Sequence, residues 1–413
     1  MKMNFITILA VKLRKIIFWL HLTAGVFAGI VVLIMSITGV ALTYQKQMTD
    51  WADKAYWPPP STQSNRLPID SLLSKTLAAR PEAKPSAITF YSDPAAPAAV
   101  TIAQGRNLYI NPYTGEAGGE GSAGIRSFFR FMTDWHRYVG AGTENRAIGK
   151  AITGACNLVF LFIVVSGFYL WWPRTWNLQA IRSVTWFKRG LGGKARDFNW
   201  HNTFGFWTAL PLFFVVLSAT VISYPFASNL VYRIAGVEPP RPAARPAGPG
   251  NQNQTVAASA GLGSSVDLSP LDDMLVRVDE QVSEWRTINL RLPASHDSDV
   301  TFTIDRGWGG QPHLRSTMVF DKETGALLRS QSFADQNRGQ QARTWLRFVH
   351  TGEFYGLPGQ TIAGVASLAG VFLVWTGLAL VARRLAAWVG RQRRRAGLVP
   401  AGARQSAPSL FVD

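Results

Sequence analysis

Four stretches of this 413-residue chain carry no Lys, Arg, Asp or Glu, and each is long enough to cross a bilayer. They lie between Lys15 and Lys46 (30 residues), Lys150 and Arg174 (23), Asp197 and Arg233 (35), and Glu353 and Arg383 (29). A helix of about 20 apolar residues spans the ~30 Å hydrocarbon core. Backbone in hydrocarbon must satisfy its own hydrogen bonds, so helices are expected, with cores at 22–43, 149–172, 202–223 and 360–381. The first run is too long for a signal-peptide core, and Ser36–Tyr44 offers no small-x-small cleavage site, so a retained helix is expected. Pro211 should kink the third span.

Charge gives these spans a direction. Residues 1–20, 173–200 and 382–413 hold seventeen Lys and Arg against only Asp197 and Asp413, which accounts for +15 of the net +17. That is the positive-inside pattern and places both termini and the 173–200 loop in the cytoplasm. The basic balance is therefore topological, and no nucleic-acid partner is expected. Trp19, Trp51, Trp57, Trp171, Trp172 and Trp200 flank the spans as interfacial anchors would. The single cysteine, Cys156, excludes a disulfide scaffold.

The expected fold class is an α-helical membrane protein, a four-helix bundle of two parallel repeats with two periplasmic α+β modules. In order these are a cytoplasmic start (1–20), a first span (21–44), module one (45–145), a second span (146–173), a cytoplasmic loop (174–199), a third span (200–224), module two (225–349), a fourth span (350–382) and a basic tail (383–413). Module one carries strand-like runs at Ala87–Tyr91, Val100–Ala103 and Asn107–Ile110, and module two at Thr287–Leu292, Val300–Ile304 and Thr317–Phe320. Helices are predicted over Ile69–Ala79 and Leu271–Glu284. The Pro/Gly/Asn-rich stretch 239–254 reads as an extended linker.

The two halves match each other. Trp19-Leu20-His21 with Gly25 parallels Trp200-His201 with Gly205, and the Asn111–Glu116 turn parallels Phe320–Gly325. Gly149-Lys150-Ala151-Ile152-x-Gly154 aligns with Gly359-Gln360-Thr361-Ile362-x-Gly364, which sets Ser166-Gly167 on Thr376-Gly377. His136 and His350 are looser counterparts. Parallel repeats of two spans place equivalent residues at equal depth.

Four of the six histidines thus fall into two pairs, His21 with His201 on the cytoplasmic side and His136 with His350 on the outer side. Two imidazoles facing each other across a bundle can supply both axial ligands of a haem iron, and ionisable groups at such positions are functional candidates. The expected cofactors are two b-type haems with iron held through His21, His201, His136 and His350. Gly25 and Gly205 would leave room for a flat macrocycle, and Arg14, Lys15, Arg137 and Arg347 lie at depths suited to propionates. A hydrogen-bonded or snorkelling role is the plain alternative for each histidine alone. Zinc is disfavoured because neither pair is completed to four ligands. His296 and His313, without repeat partners, read as surface residues. The Gly-rich Arg189–Gly193 lacks the setting of a dinucleotide fingerprint.

The chain resembles the PepSY-associated transmembrane family, bacterial iron-regulated inner-membrane proteins that include ferrisiderophore reductases. The resemblance is carried by Lys12–His21 with Gly25, Asn111–Glu116, Trp135-His136, Tyr169–Arg174, Asn199-Trp200-His201 with Gly205, and His350-Thr351-Gly352. Asn199-Trp200-His201 stands where such proteins usually show Asp-Leu-His. The resemblance implies two PepSY-like periplasmic modules, b-type haem on helix histidines and a bacterial inner-membrane location. It also implies reduction of a periplasmic ferric siderophore, with a quinol or a cytoplasmic reductase as electron donor and periplasmic iron-binding partners. No catalytic residue is assigned beyond the ligands, although Arg126, Arg130 and Asp134 fall near the expected outer haem. The rival expectation is a non-redox envelope scaffold or sensor that regulates a partner protein. A permease ranks below both, since no charged residue sits mid-membrane.

Overall fold

The computed structural model describes residues 5–60, 65–172, 177–240, 268, 270–294 and 297–396. Most of the expected linker, Pro173–Trp176, His296 and the end of the tail fall outside them. The chain forms two compact units, the first from Met1–Ile37, Lys150–Phe213 and Val365–Asp413, the second from Thr38–Gly149 and Phe214–Gly364.

Four long helices carry the expected spans: α1 (Phe5–Leu42), α5 (Arg146–Trp171), α7 (Gly193–Ser223) and α11 (Gly356–Arg395). All are long and apolar enough to cross a membrane, so the chain is a multi-pass helical membrane protein. Pro211 lies inside α7, as expected. In the first unit small residues such as Ala28, Thr203, Ala366 and Ala369 are buried between helices, while Phe27, Ile30, Trp207 and Leu210 are exposed. That inversion suits a bundle surrounded by lipid, where close helix approach favours small side chains. Buried Asp197 is paired with Arg196 at 2.9 Å and Arg383 at 3.0 Å, which offsets the cost of its burial. The short α6 (Leu178–Thr185) is capped by the Asn177 side chain.

The second unit corrects one detail of the expected layout. Instead of two separate modules there is one seven-stranded antiparallel sheet, ordered β3-β2-β1-β4-β5-β6-β7. Its strands are β1 (Ala87–Tyr91), β2 (Ala98–Ile102), β3 (Arg106–Ile110), β4 (Thr287–Arg291), β5 (Asp299–Asp305), β6 (Arg315–Asp321) and β7 (Leu327–Ser332). The modules join where β1 pairs with β4 over Ala87↔Arg291 to Tyr91↔Thr287. Alternation puts Ile88, Phe90, Ile288, Leu290, Val300, Phe302 and Ile304 on one buried face. Helices α3 (Ile69–Ala79) and α9 (Pro270–Gln281) add Ile69, Leu72, Leu271, Met274 and Val278 to the same core. Neither half could cover that face alone, because each supplies only part of the sheet. Asp272 of α9 also accepts a hydrogen bond from the Ile69 N–H at 3.1 Å, capping the other module's helix.

Two amphipathic helices lie between this sheet and the spans, α4 (Ala123–Tyr138) and α10 (Arg338–Thr351). Ser122 caps α4, and Asn337 with Gln340 forms a capping box on α10. Each then turns sharply into a span. A side chain at Gly149 would meet the Tyr138 carbonyl oxygen at 2.2 Å, and one at Gly352 the Gly359 carbonyl oxygen at 2.3 Å. Two further helices, α2 (Gln45–Asp53) and α8 (Pro225–Ile234), pack beside α4 and α10 respectively.

Candidate functional site: two histidine pairs

The histidines meet in the pairs that the repeat predicted, one pair in each unit. The ring centres of His21 and His201 are 6.5 Å apart, with planes at 87°. Those of His136 and His350 are 6.2 Å apart, at 53°. His21 and His201 project from α1 and α7. His136 and His350 lie on α4 and α10 rather than on the spans themselves, a placement that the looser sequence match did not reveal.

In each ring Nδ1 is already engaged. His21 Nδ1 is 2.9 Å from Ser166 Oγ, and His201 Nδ1 is 3.0 Å from Thr376 Oγ1. Both hydroxyls give their own hydrogen to a carbonyl one turn back, Ile163 and Phe372, so their oxygens accept from the imidazole. The Ile163 and Leu373 carbonyls also take part in holding the two rings. His136 Nδ1 lies 3.0 Å from Thr38 Oγ1, and His350 Nδ1 lies 2.9 Å from the Val215 carbonyl oxygen and 3.3 Å from Ser218 Oγ. A ring nitrogen facing a carbonyl must carry the hydrogen, which leaves Nε2 with a free lone pair. This is how a metal-ligating histidine is oriented by its second nitrogen.

The spacing has a simple meaning. An imidazole nitrogen sits about 2.0 Å from a first-row metal ion it binds. For a five-membered ring with bonds near 1.33 Å, the nitrogen is about 1.1 Å from the ring centre. Two rings on opposite sides of one ion therefore have centres ~6.2 Å apart. Both pairs stand at that separation. Among the described residues no group of three or more His, Cys, Asp or Glu is placed to hold a metal ion, so the donors come in twos. Two axial nitrogens are what a haem requires of its protein.

Glycines frame the first pair. A Cβ at Gly25 would find nothing within 4 Å, and one at Gly205 only Leu373 at 3.7 Å, which agrees with the room expected there. Gly167 and Gly377 contribute differently: a Cβ there would touch His21 Cε1 at 3.2 Å and His201 Cε1 at 3.4 Å. These glycines let each ring lie flat on the neighbouring helix.

The expected propionate partners fare unequally. Arg14 donates to the Trp172 carbonyl at 3.2 Å and to that of Leu170, which commits it to the end of α5. In the second unit Arg137, Arg343 and Arg347 are close enough to repel one another, a local excess of positive charge suited to anions. Arg126 forms an ion pair with buried Asp53 and Asp134 one with Arg146, so both serve the scaffold. His313 is exposed and packs on Phe354 with ring centres 4.7 Å apart.

Sequence reasoning named the four histidines but missed the residues that orient two of them. Thr38 follows His21 by seventeen positions and Ser218 follows His201 by the same interval, a repeat signal present in the sequence. A family model described as PepSY-associated TM region matches residues 18–384, a span that includes all four histidines and their hydroxyl partners. No curated protein matches the chain.

Proposed function

The chain belongs to the PepSY-associated transmembrane family, and from that membership and its paired histidines we propose a di-haem membrane protein that carries electrons to a ferric substrate outside the cytoplasm. The observation that carries this reading is the repeated ring spacing, 6.5 and 6.2 Å, with Nδ1 tied back in all four rings. His21 and His201 would hold one b-type haem, and His136 and His350 the other. A bound haem supplies one-electron transfer at its iron. The chain's own part is to fix the imidazole tautomers, to keep the first site dry among apolar helix faces, and to offer Arg137 and Arg347 to propionates at the second.

The substrate proposed is a ferric siderophore in the bacterial periplasm, with the termini in the cytoplasm according to the positive-inside charge pattern. Siderophores hold Fe(III) through hard oxygen donors, which bind the larger, softer Fe(II) far less well. One electron therefore frees the metal and spares the ligand. A quinol or a cytoplasmic reductase would supply it.

A second reading has its own support. The sheet ends in β7, an edge strand that exposes Leu327 and Leu328. An open edge with apolar side chains can add a strand from another protein, as a scaffold or envelope sensor would require. That reading asks only for a membrane-anchored PepSY-type sheet and no cofactor.

Purified protein separates the two. The redox reading expects two equivalents of b-type haem by pyridine haemochrome, with a sharp reduced α band. His21→Ala or His201→Ala should remove one equivalent, and His136→Ala or His350→Ala the other. A folded, colourless protein would leave the scaffold reading standing alone.

A further inference from the structure

A cavity of about 110 Å³ opens in the second unit, lined by Lys46, Gln47, Asp50, Trp308, Glu353 and Leu357 among others. Its polar wall is a chain of amides with one end left over. Gln360 Nε2 donates to the Thr43 carbonyl at 2.8 Å, so Gln360 Oε1 must face Gln47. Gln47 Nε2 donates to that oxygen at 2.7 Å. Turning the Gln47 amide over would set two oxygens against each other, so its orientation is fixed. Gln47 Oε1 is then buried without a hydrogen-bond partner. Such an acceptor is costly unless a donor comes to it.

The rest of the wall is closely built. The loop after β5 carries Gly309 and Gly310 at φ +81° and +69°, and a side chain at Gly310 would meet Glu353 Cβ at 2.5 Å. Trp308 presents an exposed ring, with the Arg286 guanidinium 3.7 Å from its centre. Lys46 is paired with Asp50 at 2.7 Å. Glu353 accepts from Thr351 Oγ1 at 2.9 Å and can accept again through its carboxylate. The cavity thus joins an indole and a leucine to hydrogen-bond acceptors. An apolar cavity of ~150 Å³ takes up a benzene ring, and this smaller one is open on one side. A six-membered ring therefore enters edge first.

We propose that this cavity binds the head group of a membrane quinol, one hydroxyl donating to Gln47 Oε1. The shared chemistry is a dihydroxylated aromatic ring, which could come from the bilayer as quinol or from water as catechol. Position favours the bilayer. Lys46–Asp50 follow directly on the span ending at Leu42, and Glu353–Gln360 are the first residues of the span that runs to Arg395. Leu357 is exposed at that boundary. Binding here is independent of whether the histidines hold haem, while the quinol's use as an electron source rests on the reading above.

The test uses full-length protein in nanodiscs, with empty nanodiscs as the partition blank. Decyl-ubiquinol kept reduced under argon should be retained above the blank. Decyl-ubiquinone, which has no O–H to donate, should bind about tenfold more weakly. Gln47→Leu should abolish the preference for the reduced form, and Trp308→Ala on its exposed loop should weaken both. Equal retention of quinol and quinone by the parent protein would overturn the proposal, as would parent-like binding by both variants. Catechol binding more tightly than the quinol would transfer the site to a water-borne ligand and overturn it too. Haem content measured on the same samples keeps failure of this proposal distinct from failure of the haem reading.

Discussion

His350 donates its Nδ1 hydrogen to the carbonyl oxygen of Val215 across 2.9 Å, and that oxygen can only accept. The ring is therefore held as the Nδ1–H tautomer by the backbone itself. Ser218, at 3.3 Å, assists but is not essential. In ¹⁵N spectra of selectively labelled, haem-free protein, His350 should show a protonated Nδ1 and a bare Nε2. Ser218→Ala should leave that signature in place. An Nε2-protonated ring would contradict the orientation assigned to the pair.

The glycines beside the first pair give a sharper prediction. Gly167→Ala adds a methyl 3.2 Å from His21 Cε1, a contact that a small ring shift relieves. Gly167→Leu cannot be relieved so simply and should push the ring out of line. If the pair holds haem, the leucine variant should lose affinity at that site by about ten- to a hundredfold. The His136–His350 site should remain filled, as haem quantification would show.

Asp53 anchors α2 to α4, since its carboxylate accepts from Arg126, from the Ser122 N–H at 2.8 Å and from the Tyr109 hydroxyl at 2.7 Å. Burial alone would raise the Asp53 pKa, but the Arg126, Ser122 and Tyr109 bonds outweigh it and hold the carboxyl below its ordinary range. A folded pKa below the unfolded one gives stability that is complete above about pH 4 and fades as pH falls through the folded value. Asp53→Asn strands the Arg126 charge and should cost about 3–5 kcal/mol. Thermal unfolding of the variant should also lose part of the parent's sensitivity to acid.

The joined sheet predicts that the two modules unfold together. Leu290 on β4 is fully buried opposite Ile88 on β1. Leu290→Ala should cost about 2–5 kcal/mol, and amide exchange should quicken in β1 and β2 as well as in β5. Faster exchange confined to residues 270–332 would mean that the halves are independent.

Orientation can be checked in cells. With Cys156 replaced by Ala, a cysteine at Lys188 should react only with reagents that reach the cytoplasm. One at Thr324 should react from the outside. The reverse pattern would invert the topology.

The spans were legible because twenty apolar residues without a charge have few other ways to be stable, and Pro211 fell where such a helix tolerates it. Strand alternation likewise placed β1, β4 and the centre of β5 within a residue or two. β7 was missed because its side chains are almost all exposed, so burial leaves no period-two signature in its sequence. Helices α4 and α10 were missed because their Arg and aromatic residues mix polarity at a length that a span reading absorbs as flanking sequence.

What the sequence determined by itself was local or repetitive: four spans, their charge asymmetry, and a duplication that put His21 with His201 and His136 with His350. A periodic pattern survives in one dimension because each residue carries its own solvation preference. Only the tertiary structure decided that β1 and β4 close the two modules into one sheet, that Val215 offers a carbonyl to His350, and that Gln47 is left with an unanswered oxygen. Those facts depend on which backbone groups meet across long separations in the chain, and a carbonyl looks the same in every residue until the fold aims it.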